Sequence, residues 1–192
     1  MKRWVTMAMT VGLTFLSACG GVTRTAPDGN LSELFRSLDE AKQKGKVGSV
    51  EGYAYLFYPS PPAPLRDWSV TLIPLPPALE ATMARSHERF VKAGRTPLTA
   101  DALQQAQQPI INYMQMLRET GHQDLIKTIK TDTSSDPKFT FQDVPPGRWL
   151  LLTALPSQVS TLLWAVPVTV ATGEIVWQSL NDKSVWLEGL TP

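Results

Sequence analysis

From residue 125 to 188 the chain advances in short apolar segments punctuated by turns, and this pattern limits the folds open to it more than any other feature. "LIKTIKTDT" (125–133), "KFTFQD" (138–143), "RWLLLTA" (148–154), "LLWAVPVTV" (162–170), "EIVWQSL" (174–180) and a weaker segment at 184–188 read as strands. The gaps between them carry "SSDP", "VPPG" and "ATGE", which are turn sequences. Two earlier segments have the same two-residue period. "VEGYAYLFY" begins at Val50, and "DWSVTLIPL" carries Pro74 at the end of its strand. Seven or so short strands predict an antiparallel β-sandwich. Pro167 lacks an amide hydrogen, which predicts an edge or a bulge at that point of its strand.

A helical block interrupts the strands at 77–121. In "PPALEATMARSHERFVKAG", Pro77 suits a first turn, Gly94 suits the end, and Leu79, Met83, Phe90 and Val91 share a face. In "TADALQQAQQPIINYMQMLRETG", Thr99 can cap, and Leu103, Ala106, Ile110, Tyr113, Met114 and Leu117 recur every three or four residues. Pro109 predicts a kink or a restart, because it cannot donate to residue 105. Together the two helices make a hairpin joined by "GRTP". A further helix is expected at 30–46, with Asn30 as cap, Leu31, Leu34, Phe35 and Leu38 as its apolar stripe, and Gly45 as its stop. The proline-rich "PSPPAPL" between the first two strands reads as a stiff loop, with a polyproline ligand as the alternative.

The first eighteen residues have the layout of a secretory signal: Lys2 and Arg3, an apolar run from Trp4 to Phe15, then Leu16-Ser17-Ala18. The run is about a dozen residues, short of the roughly 20 needed to span a bilayer. Next comes Cys19, the sole cysteine of 192 residues, so no disulfide is available and the fold must rely on its core. Residues 19–29, small, polar and broken by Pro27 and Gly29, read as a tether. The body, 47–190, reads as one domain.

Leu16-Ser17-Ala18-Cys19 resembles the bacterial lipobox. The resemblance implies cleavage between Ala18 and Cys19, a diacylglycerol on the sulfur, and an acyl group such as palmitate on the new amine. It further implies a cell-envelope location. Gly20 and Gly21 stand where that family places Asp for inner-membrane retention, which implies the outer membrane with the domain facing the periplasm. The membrane is then a partner through the lipid, and no other cofactor is expected. Removal of Lys2 and Arg3 with the signal turns the formal charge from +1 to −1. No field of either sign would gather nucleic acid.

Two stretches are similar to carboxypeptidase regulatory-like domains. "VEGYAYLFYPSPPAPLRDWSVTLIP" resembles their opening, and "TDTSSDPKFTFQDVPPGRWLLLTA" resembles their middle, with Trp149 where the family usually has Tyr. Asp136-Pro137-Lys138 replaces the turn glycine usual there. The resemblance implies a transthyretin-like, seven-stranded Greek-key sandwich, here with an inserted helical hairpin at 77–121. It carries no catalytic residue. The mature chain offers zinc only His87, His122 and Cys19 as nitrogen or sulfur ligands, and "SHERF" has no second histidine at helical spacing. His87 reads as a helix-flank residue, and His122 with Asp124 as a solvated loop pair. A transthyretin-like hydrolase of 5-hydroxyisourate ends in Tyr-Arg-Gly-Ser, whereas this chain ends "WLEGLTP". No nucleophile elbow or phosphate loop is present, so no enzyme activity is expected.

Tyr53, Tyr55 and Phe57 share one face of the first strand, opposite Val50 and Leu56. Either the helical block covers this aromatic face, or the face forms a docking surface between helix and sheet. Trp164, Val166, Val168 and Val170 are assigned to the core. The expected role is a non-catalytic binding or scaffold lipoprotein holding an envelope protein, as the lipidated transthyretin-like lipoprotein of type VI secretion does by analogy of fold. The alternatives are a carbohydrate- or peptidoglycan-binding module and, remotely, a hydrolase using His87 or His122. Oligomeric state is not legible in the sequence.

Overall fold

The structure is a computed structural model and describes residues 29–57 and 62–191. The described residues are mainly β, with ten strands and three α-helices, and their sheets are open. Helix α1 spans Gly29–Gln43. Strands β1 (Gly48–Tyr53), β2 (Tyr55–Leu56), β3 (Ala63–Pro64) and β4 (Ser69–Pro74) follow. Helices α2 (Pro77–Lys92) and α3 (Ala100–Glu119) come next. The chain closes with β5 (Lys127–Lys130), β6 (Lys138–Val144), β7 (Gly147–Pro156), β8 (Ser160–Val170), β9 (Ile175–Trp177) and β10 (Leu187–Leu190).

The strands form a three-stranded sheet in the order β6-β1-β9, a five-stranded sheet in the order β10-β8-β7-β4-β5, and a small β2-β3 ribbon. The two larger sheets wall one core. Val50 and Ala54 of the β1 region and Phe139 and Phe141 of β6 are buried on one side. Val70, Leu72, Trp149, Leu151, Trp164 and Val168 are buried on the other, and the registers Leu72↔Leu151 and Trp149↔Val168 put them on one face of their sheet. Trp164, Val168 and Val170 are thus core, with Val166 partly buried beside them. Two buried hydroxyls are satisfied: Thr131 donates to the carbonyl of Leu65 (2.6 Å), and Thr153 to that of Ser69 (2.7 Å). Unpaired, each would cost about 1–3 kcal/mol.

The expectation of an all-antiparallel, seven-stranded sandwich needs correction. β1 pairs antiparallel with β6 but parallel with β9, through Ser49↔Ile175, Val50↔Val176 and Glu51↔Trp177. Alternation along a strand records which face each residue occupies and nothing about the direction of its neighbour. The strand expected at 125–133 is shorter, because Gln123–Leu125 form a 3-10 turn before β5 begins. Pro167 lies where β8 is an edge: β10 pairs only with Ser160–Leu163, beyond which β8 keeps β7 alone.

The "DVPPG" turn carries the chain from one sheet to the other. β6 ends at Val144 in the three-stranded sheet, and β7 starts at Gly147 in the five-stranded one. Gly147 has φ +148°, a region in which side chains are strained. Trp149 then reaches back, its Nε1–H donating to the buried carbonyl of Pro145 at 2.8 Å.

Both helices of the block pack on the outer face of the five-stranded sheet. Leu79, Met83 and Phe90 of α2 are buried, but Val91 is 43% exposed and leaves the stripe expected of it. Thr99 Oγ1 caps α3 by accepting from the amide of Ala102 (3.3 Å). α3 runs on through Pro109 as one helix; the carbonyl that loses its donor belongs to Gln105, an exposed residue that water can reach. Arg148 of β7 pairs with Glu80 of α2 and donates to Thr169. Leu98, in the link between the helices, is bonded on both sides to β10 through Glu188 and Leu190. α1 packs through buried Phe35 and Leu38; it starts at Gly29, so Asn30 lies inside the helix and not before it. No helix among the described residues is long and apolar enough to cross a membrane.

Candidate functional site

The outer face of the three-stranded sheet carries an aromatic cluster. Glu51 and Tyr53 of β1 point away from the core, because Val50, Gly52 and Ala54 point into it. The parallel register sets Trp177 beside Glu51, and the antiparallel register sets Lys138 beside Tyr53. The rings of Tyr53 and Trp177 stack with centroids 6.0 Å apart and planes at 23°, and Tyr53 lies 6.2 Å from Tyr55. Lys138 Nζ stands 5.4 Å from the centre of the Tyr53 ring. Trp177 is 58% exposed and Ile175, on the same face of β9, 55%.

The helical block neither covers this face nor forms a docking surface with it. The helical block departs from β4 and returns to β5, both strands of the five-stranded sheet, and its short connections hold it there. The aromatic face belongs to the opposite sheet and faces solvent. Phe57 does not join the cluster: it follows β2, where the chain has left β1, and its amide donates to Asp182 Oδ2 at 2.8 Å. Trp177 is the residue the sequence reading missed. Its signal was the pair Ile175 and Trp177 flanking a half-buried Val176.

A turn steadies one end of the strip. Asp132 Oδ1 accepts from the amide and hydroxyl of Ser134, and the Ser134 hydroxyl also reaches the carbonyl of Asp136 at 2.8 Å. The Ser134 hydroxyl bond holds the Asp132 carboxyl below its usual pKa. Asp136 Oδ1 accepts from the Tyr55 hydroxyl at 2.6 Å. That bond, more than burial or charge, pushes the Tyr55 phenol up from 10 to about 12. A raised phenol favours the folded state below pH 10, and the advantage is lost as pH climbs from 10 through about 12. In an alkaline absorbance titration, Asp136→Ala is expected to bring one tyrosine's phenolate signal down towards pH 10, leaving late-ionising Tyr113, whose phenol burial raises. An unchanged curve would mean the bond does not hold in solution.

The remaining site expectations fall apart from this face. His87 Nδ1 donates to the carbonyl of Trp186 at 2.7 Å, which ties α2 to the start of β10. His122 packs its ring against Phe35 (4.3 Å), while Asp124 pairs with Lys42 of α1 (3.0 Å), so the two do not form the solvated pair expected of them. Among the described residues no group of three or more His, Cys, Asp or Glu could hold a metal. Ala18 and Cys19, with the signal and most of the tether, lie outside the described residues, as do residues 58–61 of the proline-rich loop; Ala63–Pro64 of that loop form β3.

No protein-family model matches the chain, and no curated protein matches it. A crystal structure from Pseudomonas aeruginosa described as a "putative carbohydrate binding protein" is similar at a TM-score of 0.43 and 17% identity, over 81% of this chain and 98% of that one. A likeness that distant carries no argument for this chain.

Proposed function

We propose that the protein is a non-catalytic, lipid-anchored envelope lipoprotein that binds carbohydrate on the outer face of its three-stranded sheet. The anchor rests on Leu16-Ser17-Ala18-Cys19 and the envelope location on the signal before it. The observation that carries the ligand class is the solvent-facing stack of Tyr53 on Trp177, continued by Tyr55. Aromatic faces attract the C–H faces of sugar rings, while their polar neighbours meet the hydroxyls. Here Glu51 and Lys138 stand on the same face as the rings. In a periplasm-facing protein the nearest extended carbohydrate is peptidoglycan.

The test is co-sedimentation with purified peptidoglycan sacculi, with chitohexaose as a soluble competitor. Trp177→Ala is expected to weaken binding by about tenfold, the loss of one stacking contact. Because Trp177 is 58% exposed, its melting temperature should stay within about 2 °C of the parent. Full binding by Trp177→Ala would sink the reading.

A protein partner is the second reading, and Ile175 favours it. An aliphatic side chain 55% exposed beside Trp177 suits an apolar interface better than a sugar. Ile175→Ser should leave carbohydrate binding intact but weaken capture of an envelope protein after crosslinking in the host.

A further inference from the structure

The edge of a sheet presents a row of unpaired amides and carbonyls, and proteins cover or guard such edges. Most edges of this fold are guarded. On the side of β6 away from β1, the Lys138 carbonyl accepts from the Asp132 amide (2.9 Å) and the Gln142 carbonyl from Lys127 Nζ (2.8 Å). β10 is bonded along its outer side to Leu98. β5 carries Lys127 and Lys130, and the stretch of β8 beyond β10 carries Pro167. Lysine and proline at such positions oppose pairing with a further strand.

β9 has no guard of this kind. Its ladder with β1 fixes which of its groups face out. The Ser49 amide donates to the Glu174 carbonyl and the Gln178 amide to the Glu51 carbonyl, both at 2.8 Å. In a parallel pair, alternate residues of a strand bond the neighbour. Glu174, Val176 and Gln178 therefore bond β1. The amides and carbonyls of Ile175 and Trp177 point to the open side, where no described residue bonds them. The side chains of the same two residues are more than half exposed. Backbone groups to pair and apolar surface to cover thus lie together on one short edge.

We propose that β9 pairs antiparallel with β9 of a second copy of the chain, about a two-fold axis through Val176. In that register the edge is complementary to itself. Ile175 lies opposite Trp177 of the other copy, so each outward amide meets an outward carbonyl. An axis perpendicular to the sheet keeps the outer faces together, and each Trp177 ring covers the other copy's Ile175. Glu174 comes opposite Gln178, so no acid meets an acid. A slip of one residue sets outward groups against inward ones. A slip of two brings in Gly173, whose φ of +75° ends the strand, or Ser179, whose carbonyl already accepts from the Ser184 hydroxyl (3.3 Å). A free peptide would have to be ordered on binding, whereas the second copy arrives with its strand formed. The pairing rests on the β9 edge alone, so it and carbohydrate binding can fail separately.

The test uses the full chain carrying Cys19→Ala, which removes its single cysteine. Ile175→Cys and Trp177→Cys are made separately in that background. Opposed residues in a hydrogen-bonded antiparallel pair have Cα atoms about 5.5 Å apart, within disulfide range, whereas two copies of one residue would stand diagonally at about 7–8 Å. Under mild oxidation the mixture of the two variants should form disulfide dimers at least about fivefold faster than either alone. Equal rates in all three samples overturn the proposal, because random collision makes no such distinction. In sedimentation velocity, the Cys19→Ala chain should shift from monomer to dimer as its concentration rises. Ile175→Lys should raise the dimer dissociation constant about tenfold or more. Because Ile175 is 55% exposed, this variant should keep the parent's melting temperature. A chain that sediments as a monomer at every concentration overturns the proposal, and so does a dimer that Ile175→Lys leaves intact.

Discussion

Gly52→Ala is expected to destabilise the protein by about 3 kcal/mol or more, a fall of roughly 6–12 °C in melting temperature for a chain of this size. Gly52 is the penultimate residue of β1 and lies on the face of the strand shared by buried Val50 and Ala54. A Cβ built there would lie 1.8 Å from the carbonyl oxygen of Gln178 and 2.5 Å from Cζ of Phe139. The Phe139 ring is itself buried, so it has little room to turn away. The Gln178 carbonyl cannot retreat either. Its residue is held by the Gln178 amide donating to Glu51 (2.8 Å), and two residues later the Leu180 amide donates to Tyr53 (2.8 Å). One methyl group must therefore part β1 from the segment after β9. Gly173→Ala is the control: its φ of +75° strains any side chain, but nothing stands within 4 Å, and about 1 kcal/mol is expected. Urea midpoints of the two variants decide the matter, and equal losses would refute the close-approach argument. The consequence reaches the candidate site. Gly52 precedes Tyr53, and moving β9 separates Trp177 from it, so carbohydrate binding should fall with stability.

The same strand shows how far the sequence could be read. The segments that became β4, β6, β7 and β8 lie within two residues or so of their expected places, because each alternates and ends at proline, glycine or a turn. α2 and α3 were legible for the matching reason at period 3.6. Tyr53 lies on the face of β1 opposite Val50, and the ring of Tyr55, already in β2, stands beside it. What no local pattern encodes is the neighbour. Trp177 reaches Tyr53 only because β9 lies parallel to β1, a pairing between segments more than a hundred residues apart. The cover expected for the aromatic face failed for a related reason. Amphipathic helices declare that they need a sheet, but which sheet is fixed by the strands they leave and rejoin. Phe57 kept the alternation in sequence, yet the chain had already left β1.

Trp149→Ala is expected to cost about 4–5 kcal/mol, which lowers the melting temperature by roughly 10–15 °C. Trp149 is completely buried, opposite Pro74 of β4 and Val168 of β8. Truncation removes the ring's transfer energy and leaves a cavity in a sheet whose central strands cannot close over it. It also orphans the buried Pro145 carbonyl that Nε1–H satisfies. That carbonyl belongs to the turn by which the chain crosses between sheets, where Asp143 (φ +53°) and Gly147 (φ +148°) both hold positive dihedrals. Two such residues within five positions make the turn costly to form, and the indole hydrogen bond is what ties its apex to the start of β7. Trp149→Phe separates the two contributions. It keeps most of the buried ring but no donor, and should cost about 1–3 kcal/mol, the loss of one buried acceptor's partner. If phenylalanine cost as much as alanine, packing volume at this point would matter little and the hydrogen bond would dominate. If phenylalanine cost nothing, the Pro145 carbonyl must find another donor, and the turn would owe its shape to its two prolines. The intermediate result predicted here assigns the turn's geometry to the bond and the sheet's stability to the ring.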